Sequence, residues 1–179
     1  HAQRWDIILL IDQSGSMATS VVYSSIFGAV LASLPALTTK MVLFDTAVVD
    51  LTAELKDPID LLFGAQLGGG TDIHAALTYC TGLVQRPADT TLVLLTDLYE
   101  GGDSAGMLRR AAGLVAAGVN LICLLALTDE GSPAYDHRHA AKLAAMGVPV
   151  FACTPDKFAD LMAAALSRPE RIHVLPNEL

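Results

Sequence analysis

The sequence lacks two features that would assign it to a common class of protein. Its longest apolar runs, such as Leu121 to Leu127 (LICLLAL), fall far short of the roughly 20 residues that a membrane-spanning helix needs. Positive charge is also scarce, since 11 lysines and arginines face 19 acidic residues, for a net charge of −8. We therefore expect no membrane partner and no nucleic-acid partner, because the phosphates of a duplex require a basic face.

Cysteine is scarce as well. Cys80, Cys123 and Cys153 each lie among apolar neighbours, and no two of them form a C-x-x-C pair. A zinc site or a redox motif is therefore not expected. The odd number favours buried free thiols over a disulfide, and free thiols favour a reducing compartment, so the sequence predicts a cytoplasmic location.

The motifs of common enzymes are missing. Asp12 is similar in position to the nucleophilic aspartate of haloacid dehalogenase-type phosphatases, but Ser14 replaces the second acid that these enzymes use. The segment QSGSM is not G-x-S-x-G, no histidine is placed to act as its base, and no G-x-G-x-x-G follows the first apolar run. We predict that the chain is not an enzyme; a phosphatase-like hydrolase that uses Asp12 is the alternative.

The sequence is rich in short apolar runs that alternate with segments of helical period. Apolar residues make up 53% of the chain and the mean hydropathy is +0.48, which suits an α/β fold with strands buried on both faces. Only Asp45 and Thr46 separate the second and third runs, which predicts an antiparallel hairpin. The predicted strands are Trp5 to Ile11, Lys40 to Phe44, Ala47 to Leu51, Thr91 to Asp97, Asn120 to Leu127 and Val148 to Cys153.

Helices are predicted between these strands from apolar spacings of three and four residues. Their predicted positions are Val22 to Pro35, Asp72 to Val84, Ser104 to Ala117, Asp136 to Met146, and a last helix from Thr154. Asp72 is expected to cap its helix, and Gly118 and Gly147 to end theirs. The alternation predicts a doubly wound, Rossmann-like three-layer fold. With no linker in the chain, residues 1–179 are interpreted as one domain, either a mature chain or one excised from a larger protein.

Polar side chains follow two of the predicted strands and one glycine-rich loop. Asp12, Ser14 and Ser16 follow the first strand, Asp97 ends the strand LVLLTD, and Thr71 lies in GGGTDIH. Ligands of such sheets bind beyond the carboxyl ends of the strands, so these five residues are expected at one edge. A set of hydroxyl and carboxylate oxygens indicates a hard cation, and we predict magnesium, with calcium or manganese as substitutes.

This pattern resembles the metal-ion-dependent adhesion site of von Willebrand factor A (VWA) domains. DQSGSM, GGTD and LLTD match the family pattern with every metal position intact, at Asp12, Ser14, Ser16, Thr71 and Asp97. The resemblance implies a mostly parallel six-stranded sheet in the order 3-2-1-4-5-6 with one antiparallel edge strand. It also implies that Ser14, Ser16 and, in some states, Thr71 touch the metal directly, while Asp12 and Asp97 act partly through water.

The segments FDTAVVDLT and LLTDLYEGG look most like bacterial intracellular members of the family, which are CoxE-like and often encoded beside MoxR-type AAA+ ATPases. The resemblance implies a metal-dependent module that binds a glutamate or aspartate of a partner protein, acting as an adaptor for an ATPase assembly.

Several residues near the predicted site have more than one interpretation. Tyr99 and Glu100 either shape specificity or form a solvated loop, and His74 is interpreted as a surface histidine rather than a ligand contact. His137 and His139, two residues apart, cannot share a helical face, so they are not expected to bind a metal together.

Overall fold

The computed structural model describes residues 5–14, 37–54, 69–126 and 135–153. Six strands form one sheet in the order β3-β2-β1-β4-β5-β6. Every neighbouring pair is parallel except β2 with β3, so the predicted strand order and antiparallel edge are confirmed. The strands are β1 (Trp5–Asp12), β2 (Leu37–Phe44), β3 (Val48–Asp50), β4 (Thr90–Thr96), β5 (Asn120–Ala126) and β6 (Val150–Cys153).

The strands differ from their predicted bounds mainly at their first residues. β2 begins at Leu37 instead of Lys40, because its ladder with β1 starts at the pair Trp5 and Leu37. Because Thr38 and Thr39 at the start of β2 are polar, a prediction based on apolar runs does not include them in the strand. β6 begins at Val150, which pairs with Cys123 on β5.

Three helices lie among the described residues, and each follows an aspartate whose side chain accepts a backbone N–H of the first turn. They are α1 (Ile73–Leu83), α2 (Ser104–Ala117) and α3 (His137–Ala145), capped by Asp72, Asp103 and Asp136. α2 ends at Gly118, whose φ of 103° lies in the left-handed region that glycine adopts at least cost. The predicted cap at Asp72 and the predicted end at Gly118 are confirmed.

The helices pack on one face of the sheet and form a single apolar core with it. From the strands this core takes Ile8, Leu10, Val42, Phe44, Leu92, Leu94, Leu121, Cys123 and Leu125, and from the helices Ile73, Leu77, Cys80, Met107, Ala111, Leu114 and Leu143. The alternate residues of the same strands are buried too, among them Ile7, Leu9, Ile11, Met41, Leu43, Val93 and Ile122. Both faces of the central strands are therefore covered, as the doubly wound fold requires.

Some predicted elements lie outside the described residues. These are the helix from Val22 to Pro35, the last helix from Thr154, and the loop residues Ser16 and Gly68. None of the helices in the described ranges is long and apolar enough to cross a membrane.

Cys80 and Cys123 are free thiols inside the core, whereas the side chain of Cys153, also predicted to be buried, lies outside the described part of the structure. Cys80 on α1 and Cys123 on β5 are completely buried. Burial is the main cause that raises the pKa of Cys80 to about 12, and it raises the pKa of Cys123 further. Because the thiolate is the reactive form, both thiols are held in their unreactive state at neutral pH.

We predict that neither Cys80 nor Cys123 reacts with a thiol reagent in the folded protein, because each is both buried and protonated. Labelling with iodoacetamide at pH 8, followed by peptide mass spectrometry, measures this, and the same protein in urea supplies the control in which both residues are alkylated. Rapid alkylation of either residue without urea would contradict the prediction.

Candidate metal centre

The candidate centre is built where β1 and β4 end side by side. The two strands are parallel and Ile11 lies opposite Leu95, so the residues that follow, Asp12 and Thr96, are neighbours. Asp12 is fully buried, and the Thr96 hydroxyl donates to its Oδ2 at 2.7 Å. The N–H of Ser14 donates to Asp12 Oδ1 at 2.8 Å. Both carboxylate oxygens are thus fixed by neutral donors.

The pKa of Asp12 is raised above its ordinary value. Burial is the largest cause, because it disfavours the charged form, and the nearby charge of Asp97 raises the pKa as well. Hydrogen bonds from Thr96 and Ser14 act in the opposite direction without cancelling the effect of burial. The two acids therefore lie close enough to repel each other in a poorly hydrated place.

Asp97 is held by an unusual backbone conformation just after β4. Leu98 has a φ of 63°, in the left-handed region that costs a non-glycine residue roughly 1–2 kcal/mol. Its N–H donates to the Thr96 hydroxyl at 3.1 Å, and Asp97 Oδ1 accepts the N–H of Tyr99 at 3.2 Å. The Leu98 side chain is fully buried, so packing helps to hold this conformation.

The first turn of α3 supports the same backbone from the other side. The N–H of Asp136 donates to the carbonyl oxygen of Asp97 at 2.8 Å, and His139 Nδ1 lies 2.8 Å from the carbonyl oxygen of Leu98. Because a carbonyl can only accept, the proton must be on Nδ1. His139 therefore acts as a structural donor to the loop after β4 in this arrangement.

Thr71 lies in a buried segment that two other loops hold. The N–H of Asp72 donates to the carbonyl oxygen of Asp45 at 2.8 Å, which ties the segment to the β2–β3 hairpin. The N–H of Gly101 donates to the carbonyl oxygen of Thr71 at 2.9 Å, which ties it to the loop after β4. A Cβ at position 101 would lie only 2.9 Å from this carbonyl oxygen, so the close approach requires glycine.

Four of the five predicted ligands are described, and their segments converge on one edge of the sheet. Asp12 and Ser14 follow β1, Asp97 follows β4, and Thr71 is joined to the loop of Asp97 through Gly101. All four are buried. Ser16 lies outside the described residues. That these residues bind a metal together stays a prediction.

The donor set fits a hard cation. The side chains available at this edge are carboxylates and hydroxyls, which supply the oxygen ligands that magnesium prefers. Within the described ranges there is no group of three or more histidine, cysteine, aspartate or glutamate side chains that could hold a metal ion. A cation bound here would therefore depend on the serine and threonine hydroxyls as well as on the two acids.

Sequence reasoning missed several residues that shape the site. In the sequence, Thr96 looks like an ordinary strand residue and His139 like a residue on a helix surface. Neither could therefore be identified as part of the site. Asp45 is buried, and its Oδ1 and Oδ2 accept from Ala47 N at 2.7 Å and Gly69 N at 3.2 Å. An aspartate at the start of a two-residue hairpin could have indicated this turn role.

Tyr99 and Glu100, for which the sequence left two interpretations open, differ from each other in the structure. The Glu100 carboxylate is hydrogen-bonded to the start of α1, whereas Tyr99 is 52% exposed. His74 is not the plain surface histidine that was expected. Its Nδ1 is buried without a hydrogen-bond partner in the described part of the chain, and it lines a cavity of about 590 Å³ between α1 and α2.

Comparisons with known proteins agree with this geometry. The family model described as "VWA domain containing CoxE-like protein" matches residues 1–162. The chain is 41% identical over 166 residues to the protein YehP of Escherichia coli (strain K12), covering 93% of this chain and 44% of YehP. The chain thus spans less than half the length of that relative.

Solved structures show the same fold at low sequence identity. The vWF domain of the type V pili tip protein Mfa5 from Porphyromonas gingivalis has a TM-score of 0.69 and 12% identity, over 100% of this chain and 99% of that one. A manganese-loaded Plasmodium vivax TRAP protein has a TM-score of 0.66 and 17% identity, over 90% of this chain and 72% of that one. The chain belongs to the family of VWA domains, in its CoxE-like branch.

The Thr96 hydroxyl joins both strand ends, which leads to a stability prediction. Thr96→Val keeps the shape but leaves Asp12 and the Leu98 N–H each without one partner, which is expected to lower the free energy of unfolding by about 1–3 kcal/mol. Urea unfolding of the metal-free protein measures this difference.

Thr39→Val provides the matched control for this substitution. Thr39 is a buried strand threonine whose hydroxyl has no hydrogen-bond partner among the described residues. Its replacement should therefore be neutral or stabilising. Equal losses in the two variants would show that the hydrogen bonds of Thr96 do not stabilise the site.

Proposed function

We propose that this domain binds a partner protein through a divalent cation, of the magnesium type, held by Asp12, Ser14, Ser16, Thr71 and Asp97. One observation carries the proposal: the buried carboxylate of Asp12 has neutral hydrogen-bond donors around it and the charge of Asp97 beside it. Such a pair is unfavourable in a poorly hydrated place unless a positive charge compensates it.

The roles of the residues follow from their contacts. Thr96 and the Ser14 N–H orient Asp12, and Leu98 with α3 orients Asp97, so the two acids are fixed before any ligand arrives. The hydroxyls of Ser14, Ser16 and Thr71 add neutral oxygen ligands. Bound at this site, magnesium supplies a positive centre with a coordination position for a carboxylate from another chain. The manganese-loaded TRAP structure supports manganese as a substitute, and calcium is a further candidate.

The proposed partner presents a glutamate or an aspartate to this edge. The acids of the site repel such a side chain when no cation is present, so binding should depend strictly on the metal. An adaptor role in an assembly with a MoxR-type AAA+ ATPase is part of the same proposal, on the resemblance of FDTAVVDLT and LLTDLYEGG to bacterial intracellular members of the family. A cytoplasmic location belongs to the same proposal and is supported by the buried free thiols of Cys80 and Cys123.

The geometry of Asp12 argues against the phosphatase-like alternative. An Asp12 nucleophile would need the bulky phosphate ester of a substrate within bonding distance of its carboxylate, but the Asp12 side chain is fully buried. We therefore propose no catalytic role for the site. Hydrolysis of p-nitrophenyl phosphate that disappears in Asp12→Asn would overturn this part of the proposal.

The first test is metal binding by the isolated domain. Magnesium at about 100 times its Kd should stabilise the wild-type protein by roughly 2.7 kcal/mol, and Asp12→Asn should abolish this gain. Thermal unfolding with and without magnesium, together with calorimetric titration, measures the effect. In EDTA the variant loses a buried charge but also an acceptor for one of the two hydrogen bonds of Asp12, so its unfolding there is the baseline from which the gain in magnesium is measured. Unchanged magnesium affinity in Asp12→Asn would contradict the proposed site.

The second test concerns the partner. Proteins retained by the immobilised domain from a lysate in magnesium should be lost in EDTA and with Thr71→Ala. Thr46→Ala is the matched control, since Thr46 is an exposed threonine of the neighbouring hairpin outside the proposed ligand set. Neutralising one glutamate or aspartate of the identified partner should abolish its binding. A partner that binds equally well in EDTA would show that this edge is not the interface.

A further inference from the structure

We infer that Glu100 is a positioning residue of the candidate metal centre, one that fixes the segment of Thr71 relative to Asp97. The inference rests on the proposed function, because it concerns how this site keeps its geometry. It assigns to Glu100 a role in metal affinity that does not require Glu100 to touch the metal.

The Glu100 side chain reaches from the loop after β4 to the start of α1. Its Oε2 accepts the N–H of His74 at 2.8 Å, and its Oε1 accepts the N–H of Ile73 at 3.1 Å. Oε1 also accepts the N–H of Gly102 at 3.2 Å, within its own loop. One carboxylate therefore joins the two loops that carry Thr71 and Asp97.

The start of α1 is capped by two different acids. Asp72 accepts the N–H of Ala75 at 2.9 Å, which is an ordinary local cap. Glu100 accepts the N–H groups of Ile73 and His74, the two residues before Ala75. The first N–H groups of a helix have no partner within the helix, and a negative charge is favourable near them. Since Asp72 already caps the helix, the main consequence of the Glu100 contacts is the link between the loops.

Backbone contacts continue the link on both sides of Glu100. Gly101 donates its N–H to the carbonyl oxygen of Thr71 at 2.9 Å, at a distance that leaves no room for a Cβ. On the other side, Asp97 Oδ1 accepts the Tyr99 N–H, and Leu98 is held by Thr96. The path from Asp97 to Thr71 is thus short and hydrogen-bonded throughout.

Loss of Glu100 should loosen Thr71 without unfolding the domain. The contacts of Asp72 N with the carbonyl oxygen of Asp45 and of Gly101 N with that of Thr71 would remain, so the segment would stay attached through its backbone and lose only its side-chain link. The Thr71 hydroxyl would then be less well fixed relative to Asp97. Groups that orient metal ligands typically change metal affinity by tenfold or more when they are removed.

The experiment compares Glu100→Ala with Asp103→Ala in calorimetric titration with magnesium chloride. Asp103 lies in the same loop and also caps a helix, but its carboxylate contacts α2, through Gly106 N at 2.9 Å and Arg109 at 3.8 Å. Both variants lose one negative charge and one cap. We expect Glu100→Ala to bind magnesium about tenfold or more weakly than the wild type, and Asp103→Ala to bind it within about twofold.

A second variant separates geometry from charge. Gly101→Ala changes no charge but places a Cβ 2.9 Å from the carbonyl oxygen of Thr71, which forces the two loops apart. It should also weaken magnesium binding. Unchanged affinity in Gly101→Ala, or equal losses in Glu100→Ala and Asp103→Ala, would overturn the inference.

Hydrogen exchange in EDTA tests the link without any metal. Glu100→Ala should speed the exchange of the Ile73 and His74 amides, whereas Asp103→Ala should speed that of the Gly106 amide instead. If the wild type binds no magnesium, the proposed function fails, and exchange alone decides whether Glu100 holds the segment. If the wild type binds magnesium and Glu100→Ala binds it equally well, only the inference fails.

Discussion

The edge of the sheet is organised around one buried carboxylate, that of Asp12. Taking an ionised carboxyl group out of water is costly unless hydrogen bonds or an opposite charge compensate it. The Thr96 hydroxyl donates one such hydrogen bond to Asp12, and its oxygen also accepts the N–H of Leu98. The left-handed backbone of Leu98 then sets where Asp97 lies. One hydroxyl therefore links the two strand ends directly.

Much of the fold could be predicted because its signals are local. Short apolar runs mark the strands, an aspartate precedes each described helix, and Gly118 ends α2 in the conformation that favours glycine. The hairpin was predicted from a two-residue connection, and in the structure its strands are separated by three residues, Asp45, Thr46 and Ala47. The start of β2 was placed too late, because Thr38 and Thr39 before Lys40 look like a loop in sequence. Only pairing with β1 makes them part of a strand.

The supporting residues of the site could not be predicted in the same way. Glu100 looks like a solvated acid in a polar loop, yet its partners Ile73 and His74 lie 27 and 26 residues earlier in the chain. His139 reaches Leu98 across 41 residues. Such contacts depend on the register of the sheet and the packing of helices onto it, which a local pattern does not encode. The family resemblance identified candidate ligands, but not the groups that orient them.

The lengths of the outer strands bear on how this chain behaves at high concentration. The sheet ends in β3, which has three residues and finishes with the exposed Asp50, and in β6, which has four. The long apolar strands β1 and β4 lie inside the sheet with a strand on each side, and β2 has β1 on one side and β3 beside its last three residues on the other. Within the described residues, the two outermost strands therefore offer only short edges to a second molecule. An unusually apolar chain can in this way resist aggregation by strand addition.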